Sequence, residues 1–243
     1  MLIPFITTKK NEKNLRAGSK IKEIGSFENP NGLENFLLKN GYKEDTSEIV
    51  NLYEFCRNNV YDKVKRRSGG KYTQHINRML YRSVKDGFAN RYVVGGIISH
   101  DYREESRKLK RTEKVPFVKS GYSDFEKILS IMTKDDNESK EDAMIRIINS
   151  GIPETLVIKS YDIYDNSTHL KPLNDEAIME KLKQTYMLMG GIYKTKDTLI
   201  DDLNIRKNGK SVLIERLKES EERFRAEKDN RDSYNRKKAI FFF

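Results

Sequence analysis

A mainly α-helical body with a minor β component (α+β), continued by a long C-terminal helical arm, is the fold class that this chain of 243 residues predicts. Three observations predict it. Apolar residues recur at i, i+3 and i+4 through most of the chain, the spacing of a helix with one buried face. Two apolar runs, 91–100 and 156–164, lack that spacing and are rich in glycine or β-branched residues. The last quarter is a charged run with only a narrow apolar stripe.

Residues 1–28 show no sustained period and read as an N-terminal arm. Asn29-Pro30 then supplies a cap and a first-turn proline, Leu33, Phe36 and Leu37 form one helical face, and Asn40-Gly41 ends it. Asp45 followed by Glu48 has capping-box spacing. It precedes the series Ile49, Leu52, Tyr53, Cys56, Val60 and Val64, which stops at Arg66-Arg67-Ser68-Gly69-Gly70. Thr73 opens the next helix, with Ile76, Met79, Leu80, Ser83 and Val84 inward and Gly87 as terminator.

Arg91 to His100 reads as a small hairpin around a two-residue Gly95-Gly96 turn. Asp101 to Arg111 is a short basic helix, and Val115 to Val118 is extended. Ser123 and Glu126 frame a second capping box ahead of Phe125, Ile128, Leu129 and Met132. Ser139 and Asp142 open a helix carrying Met144, Ile147 and Ile148, closed by Gly151. Leu156 to Ile158 and Tyr161 to Tyr164 read as strands. Asn174 caps a helix with Ile178, Leu182, Tyr186 and Met189 that ends at Gly190-Gly191.

Residues 29–191 thus form the expected body, and 192–243 a C-terminal helical hairpin and arm. The arm turns at Asn208-Gly209, and Leu213, Leu217, Ser220 and Phe224 mark its stripe. It ends in Ile240, Phe241, Phe242 and Phe243. Leaving such side chains in water forgoes about 1.5–3 kcal/mol each. They are expected to dock into a groove of a neighbouring subunit.

Charge is unevenly placed. Residues 57–119 hold 17 Lys and Arg against 6 Asp and Glu, a net +11, while the rest nets −1, which together give the chain's +10. Tyr61, Tyr72, Tyr81, Tyr92 and Tyr102 are interleaved with the cations, a mixture suited to phosphate contact and stacking. The residues expected to meet DNA, RNA or another anionic partner are Lys63, Lys65, Arg66, Arg67, Lys71, Arg78, Arg82, Arg103, Arg107, Lys108, Lys110 and Arg111.

Other classes lack their signals. One cysteine, Cys56, excludes a disulfide within the chain, and no stretch has the length and apolarity of a spanning helix. Gly191-Ile192-Tyr193 matches the opening of the GIY-YIG nuclease signature, but no Tyr-Ile-Gly follows. Asn208-Gly209-Lys210-Ser211 lacks the upstream glycine of a phosphate-cradling loop, and the acidic run 135–138 lacks a calcium loop's glycine. His75, His100 and His169 are scattered, so no metal or cofactor is expected, and His75 reads as a surface or capping residue. Ser99-His100-Asp101 are neighbours on an expected strand and point to opposite faces. Leu203-Asn204-Ile205, Asn208-Gly209-Lys210 and Leu213 to Leu217 resemble the second half of a SAP motif, a nucleic-acid-binding helical unit, with one residue fewer than usual after Gly209.

With 36% hydrophobic and 35% charged residues, against about 45–50% apolar in an average domain, the chain is expected to need neighbours. The expected role is a non-catalytic structural or adaptor subunit of a large nucleic-acid-containing assembly, such as a bacteriophage head–tail connector or ring. The alternative is a soluble nucleic-acid-binding accessory protein of replication or transcription. Either places it in a virion or the cytoplasm, with protein subunits and DNA or RNA as partners and no membrane.

Overall fold

The computed structural model describes residues 27, 29–65, 71–110, 115, 122–168 and 174–240. In chain order the helices are α1 (Pro30–Lys39), α2 (Thr46–Cys56) continued by a π-helical turn (Arg57–Tyr61), α3 (Tyr72–Lys85), α4 (Arg91–Ser99) and α5 (Tyr102–Lys108). They continue as α6 (Tyr122–Met132), α7 (Lys140–Asn149), α8 (Pro153–Thr168), α9 (Asp175–Lys194), α10 (Asp197–Asp201) and α11 (Gly209–Ile240). The mainly helical expectation holds.

Four of the expected caps form, while the box expected at Ser123 and Glu126 does not, because α6 already begins at Tyr122 and Ser123 is inside it. The side chains of Asn29, Asp45, Ser139 and Asn174 accept backbone N–H groups of Asn31, Ser47, Asp142 and Ala177. Each satisfies a donor that the first helical turn leaves orphaned.

The β component does not form: among the described residues the only β pairing is an isolated bridge between Lys65 and Lys71. Residues 91–100, expected as a hairpin, are α4. Asn90 starts it, its side chain accepting Val93 N–H at 2.9 Å, and Val93 to Ser99 are all buried. The glycines serve close approach instead of a turn. A Cβ on Gly95 would sit 2.8 Å from Phe125, and one on Gly96 2.3 Å from Ile158 Cδ1. Val115 lies outside regular structure, and 116–118 fall outside the described residues.

The strands expected at 156–158 and 161–164 belong instead to α8, with Pro153 as its first residue. A short apolar run does not distinguish a strand from a helix buried on all sides. α8 is such a helix: it touches α3, α4, α6, α7, α9, α10 and α11, and is buried almost throughout. α9 likewise passes through Gly190-Gly191, its expected end, to Lys194. A Cβ on Gly191 would lie 2.8 Å from Ile148.

α11 lies along α8 and α9. Its stripe residues Leu213, Leu217, Ser220 and Phe224 are fully buried against the chain's own core. Arg216 clamps it with a two-pronged ion pair to Asp86, Nε to Oδ2 at 2.7 Å and Nη2 to Oδ1 at 3.0 Å. Tyr161 of α8 donates to the same carboxylate at 2.9 Å. Asp86 thus ties α8 to α11, and α8 carries Asp162 and Asp165 of the site described next.

Candidate metal centre

Packing of α3, α4 and α8 gathers residues that are far apart in sequence. His75 comes from α3, His100 and Asp101 from the turn between α4 and α5, and Asp162 and Asp165 from α8. His75 lies four residues before Met79 on the buried face of α3, so the core periodicity itself turns it inward. It is 1% exposed, which corrects its reading as a surface or capping residue, and His100 is 3% exposed. One ligand atom from each of His75, His100 and Asp162 lies within 4.8 Å of the others.

The outer hydrogen bonds set both imidazole tautomers. His75 Nδ1 is 2.7 Å from Asp165 Oδ2, an ionised carboxylate that only accepts, so Nδ1 carries the proton and Nε2 is left as the inner atom. His100 Nδ1 is 2.9 Å from the carbonyl of Ile97, with the same consequence. His75 Nε2 then faces Asp162 Oδ1 at 3.5 Å and Asp101 Oδ2 at 4.0 Å, and His100 Nε2 lies 3.1 Å from Asp101 Oδ2. That last contact is close in charge but misaligned: His100 Nε2 is buried without a hydrogen bond. A buried His100 Nε2 that faces the Asp101 carboxylate without an aligned hydrogen bond suits a metal ligand.

The carboxylates are braced as well. Tyr72 donates to Asp101 at 2.5 Å. Lys159 and Asn166 hold the two oxygens of Asp162, each at 2.7 Å. Burial would raise Asp101 and Asp162, but His100, Lys159 and His75 beside them hold both well below the usual carboxylate range. Burial would lower His100, but Asp101, and then Asp162, push it up to about 9. The neighbouring carboxylates thus favour a positive charge at His100 Nε2, and a divalent cation bound there would displace the proton and supply that charge instead.

Two imidazoles with one or two carboxylates suit a divalent first-row ion such as Mn²⁺, Fe²⁺ or Zn²⁺; an all-oxygen set would favour Mg²⁺ or Ca²⁺, and thiolates would favour a structural zinc. Cys56 is buried and is not one of the gathered ligands. The centre opens on a cavity of about 270 Å³ that is also lined by Glu104, Glu105, Lys134, Lys140, Lys159, Lys181 and Gln184, with Met132, Met144 and Ile147 as its apolar wall. Burial raises Glu104 above the usual carboxylate range, although its side chain accepts the Lys134 N–H.

Several of the cations expected to meet an anionic partner have partners within the chain. Arg78 grips Asp165. Arg82 stacks over the Tyr164 ring at 5.3 Å. Arg103 pairs with Glu126, Arg107 with Asp136, and Lys108 with Glu105. Lys63, Lys65, Lys71 and Lys110 are exposed, while Arg66, Arg67 and Arg111 lie outside the described residues. Ile240 is the last residue of α11, and Phe241, Phe242 and Phe243 lie outside the described residues.

Comparison with known proteins adds nothing to this geometry. No protein-family model, curated protein or solved structure matches the chain.

Proposed function

We propose that this chain is a metal-dependent hydrolase acting on a phosphate ester or phosphate anhydride. The observation that carries the reading is the convergence of His75, His100 and Asp162 within 4.8 Å at a cavity that four lysines also line. His75, His100 and Asp162 would hold a divalent ion, which would supply Lewis-acid polarisation of a phosphoryl oxygen and activation of water at neutral pH. The chain's own residues supply the rest. Lys134, Lys140 and Lys181 bring positive charge to the cavity, which favours a multiply anionic substrate and stabilises charge that builds on the phosphoryl oxygens. Lys159 is committed to Asp162 and keeps that carboxylate ionised for the ion. Glu104, raised by burial and lining the same space, is the side chain best suited to give a proton to a leaving oxygen.

This departs from the expected non-catalytic assembly subunit. The narrow stripe on α11 is satisfied within the chain, and several cations that argued for a nucleic-acid surface pair internally.

The test is hydrolysis. Protein stripped with a chelator and reloaded with Mn²⁺ or Zn²⁺ is incubated with p-nitrophenyl phosphate, bis-p-nitrophenyl phosphate and a panel of nucleotides. Metal-dependent release of product, abolished in Asp162→Asn, is the expected result. A folded wild-type protein that binds metal but cleaves none of these would overturn the proposed activity.

A further inference from the structure

The metal-centre reading accounts for His75 as a ligand but not for what lies behind it. We infer that Asp165 and Arg78 form an outer layer that sets the tautomer and aim of His75, making both of them positioning residues for the metal centre. The inference rests on the metal-centre reading and deepens it.

The geometry is a chain of three groups. Asp165 Oδ2 accepts the His75 Nδ1 proton at 2.7 Å. Arg78 donates to both oxygens of that carboxylate, Nε to Oδ1 at 2.6 Å and Nη2 to Oδ2 at 2.8 Å. His75 and Arg78 sit one turn apart on α3, so both reach the same carboxylate on α8. Arg78 is a positive charge behind a buried aspartate, and its two N–H donors occupy both carboxylate oxygens. The carboxylate stays a pure acceptor, so His75 has to donate through Nδ1 and present Nε2 to the centre. A histidine ligand fixed this way by a carboxylate is oriented and made more basic.

A simple ion-pair staple between α3 and α8 would show the same contacts, so the test has to separate the two. Asp165→Asn is nearly isosteric, yet an amide cannot serve all the donors. Whichever way it is turned, its NH₂ end faces an N–H of Arg78, or of Arg78 and His75 together. The guanidinium fork is lost in either orientation, and in one of them the imidazole must change tautomer as well. Arg78→Lys keeps the charge and loses the fork.

The experiment is calorimetric titration of the chelator-stripped full chain with Mn²⁺, alongside the melting temperature of the metal-free proteins. The layer predicts that Asp165→Asn binds Mn²⁺ about 10–100-fold more weakly than wild type, with Arg78→Lys weakened in the same direction by less. A staple predicts a lower metal-free melting temperature with Mn²⁺ affinity within about twofold of wild type, and that pattern would overturn the inference. Should Asp165→Asn fail to fold, Arg78→Lys decides by the same criterion. A folded wild type that takes up no Mn²⁺ or Zn²⁺ would instead overturn the metal-centre reading on which the inference stands.

Discussion

Replacing Gly96 with alanine tests the packing that brings α4 to α8. Two effects oppose each other. In a helix interior alanine is favoured over glycine by about 0.5–1 kcal/mol. Against that, the new Cβ would sit 2.3 Å from Ile158 Cδ1 and 3.2 Å from its Cγ1, where carbon pairs prefer about 3.5–4.0 Å. Ile158 is fully buried, so relief needs a shifted side chain or a helix displaced by about an ångström, and overpacking of this kind costs about 1–3 kcal/mol. The clash wins. Net destabilisation of about 1–2 kcal/mol is expected in urea titration, which corresponds to a melting temperature lower by about 2–8 °C for a chain of this size. Gly190→Ala is the matched control, because it too is helical and nothing lies within 4 Å of its added Cβ; it should gain about 0.5–1 kcal/mol. Because His100 directly follows α4 and α8 carries Asp162, Gly96→Ala should also weaken divalent-metal uptake while Gly190→Ala leaves it alone. A Gly96→Ala protein as stable as Gly190→Ala would refute the close approach of these helices.

Other predictions follow from the same contacts. Arg216→Met strands Asp86 with Tyr161 as a remaining partner, and removing the partly buried guanidinium from this carboxylate should cost about 1–3 kcal/mol in chemical denaturation. Burial would raise Glu219, but Arg216, Tyr164 and Arg223 hold it below the usual carboxylate range. Its contribution to stability is therefore present above the unfolded value of about 4.3 and is lost as pH falls through the lower folded value. Stability measured from pH 5 downward should fall less steeply in Glu219→Gln than in wild type. Divalent metal at 100 times its Kd should add about 2.7 kcal/mol to the folded state, read as a rise in melting temperature that EDTA reverses. That rise should be absent in His100→Ala.

The helices were legible where one face is buried and the caps are ordinary: α1, α2, α3 and α7 follow directly from Asn29-Pro30, Asp45, Ile76 to Val84 and Ser139. What misled was burial on every side. α4 and α8 have no polar face, so periodicity is silent, and the β-branched residues pointed to strands. The start signals, Asn90 before α4 and Pro153 opening α8, were nevertheless in the sequence. The site was hidden by the same error. Asp162 and Asp165 are three apart, on opposite faces of a strand but on one face of a helix. His100 and Asp101, dismissed as strand neighbours, sit where α4 ends and both approach the centre. His75 and His100 are gathered only through the contacts among α3, α4 and α8, and His169 lies outside the described residues. No local pattern states those contacts, although the inward register of His75 with Met79 was available. The basic stretch shows the converse limit: its net charge is real, but Arg78, Arg103, Arg107 and Lys108 pair within the chain.

Metal content, measured on purified protein after dialysis against trace Mn²⁺ and Zn²⁺, addresses the metal centre most directly. The account predicts one tightly held divalent ion per chain in wild type and none in a folded His75→Ala, Asp162→Ala double variant. An equal metal content in the two proteins, or a folded wild type that retains no ion, would contradict it.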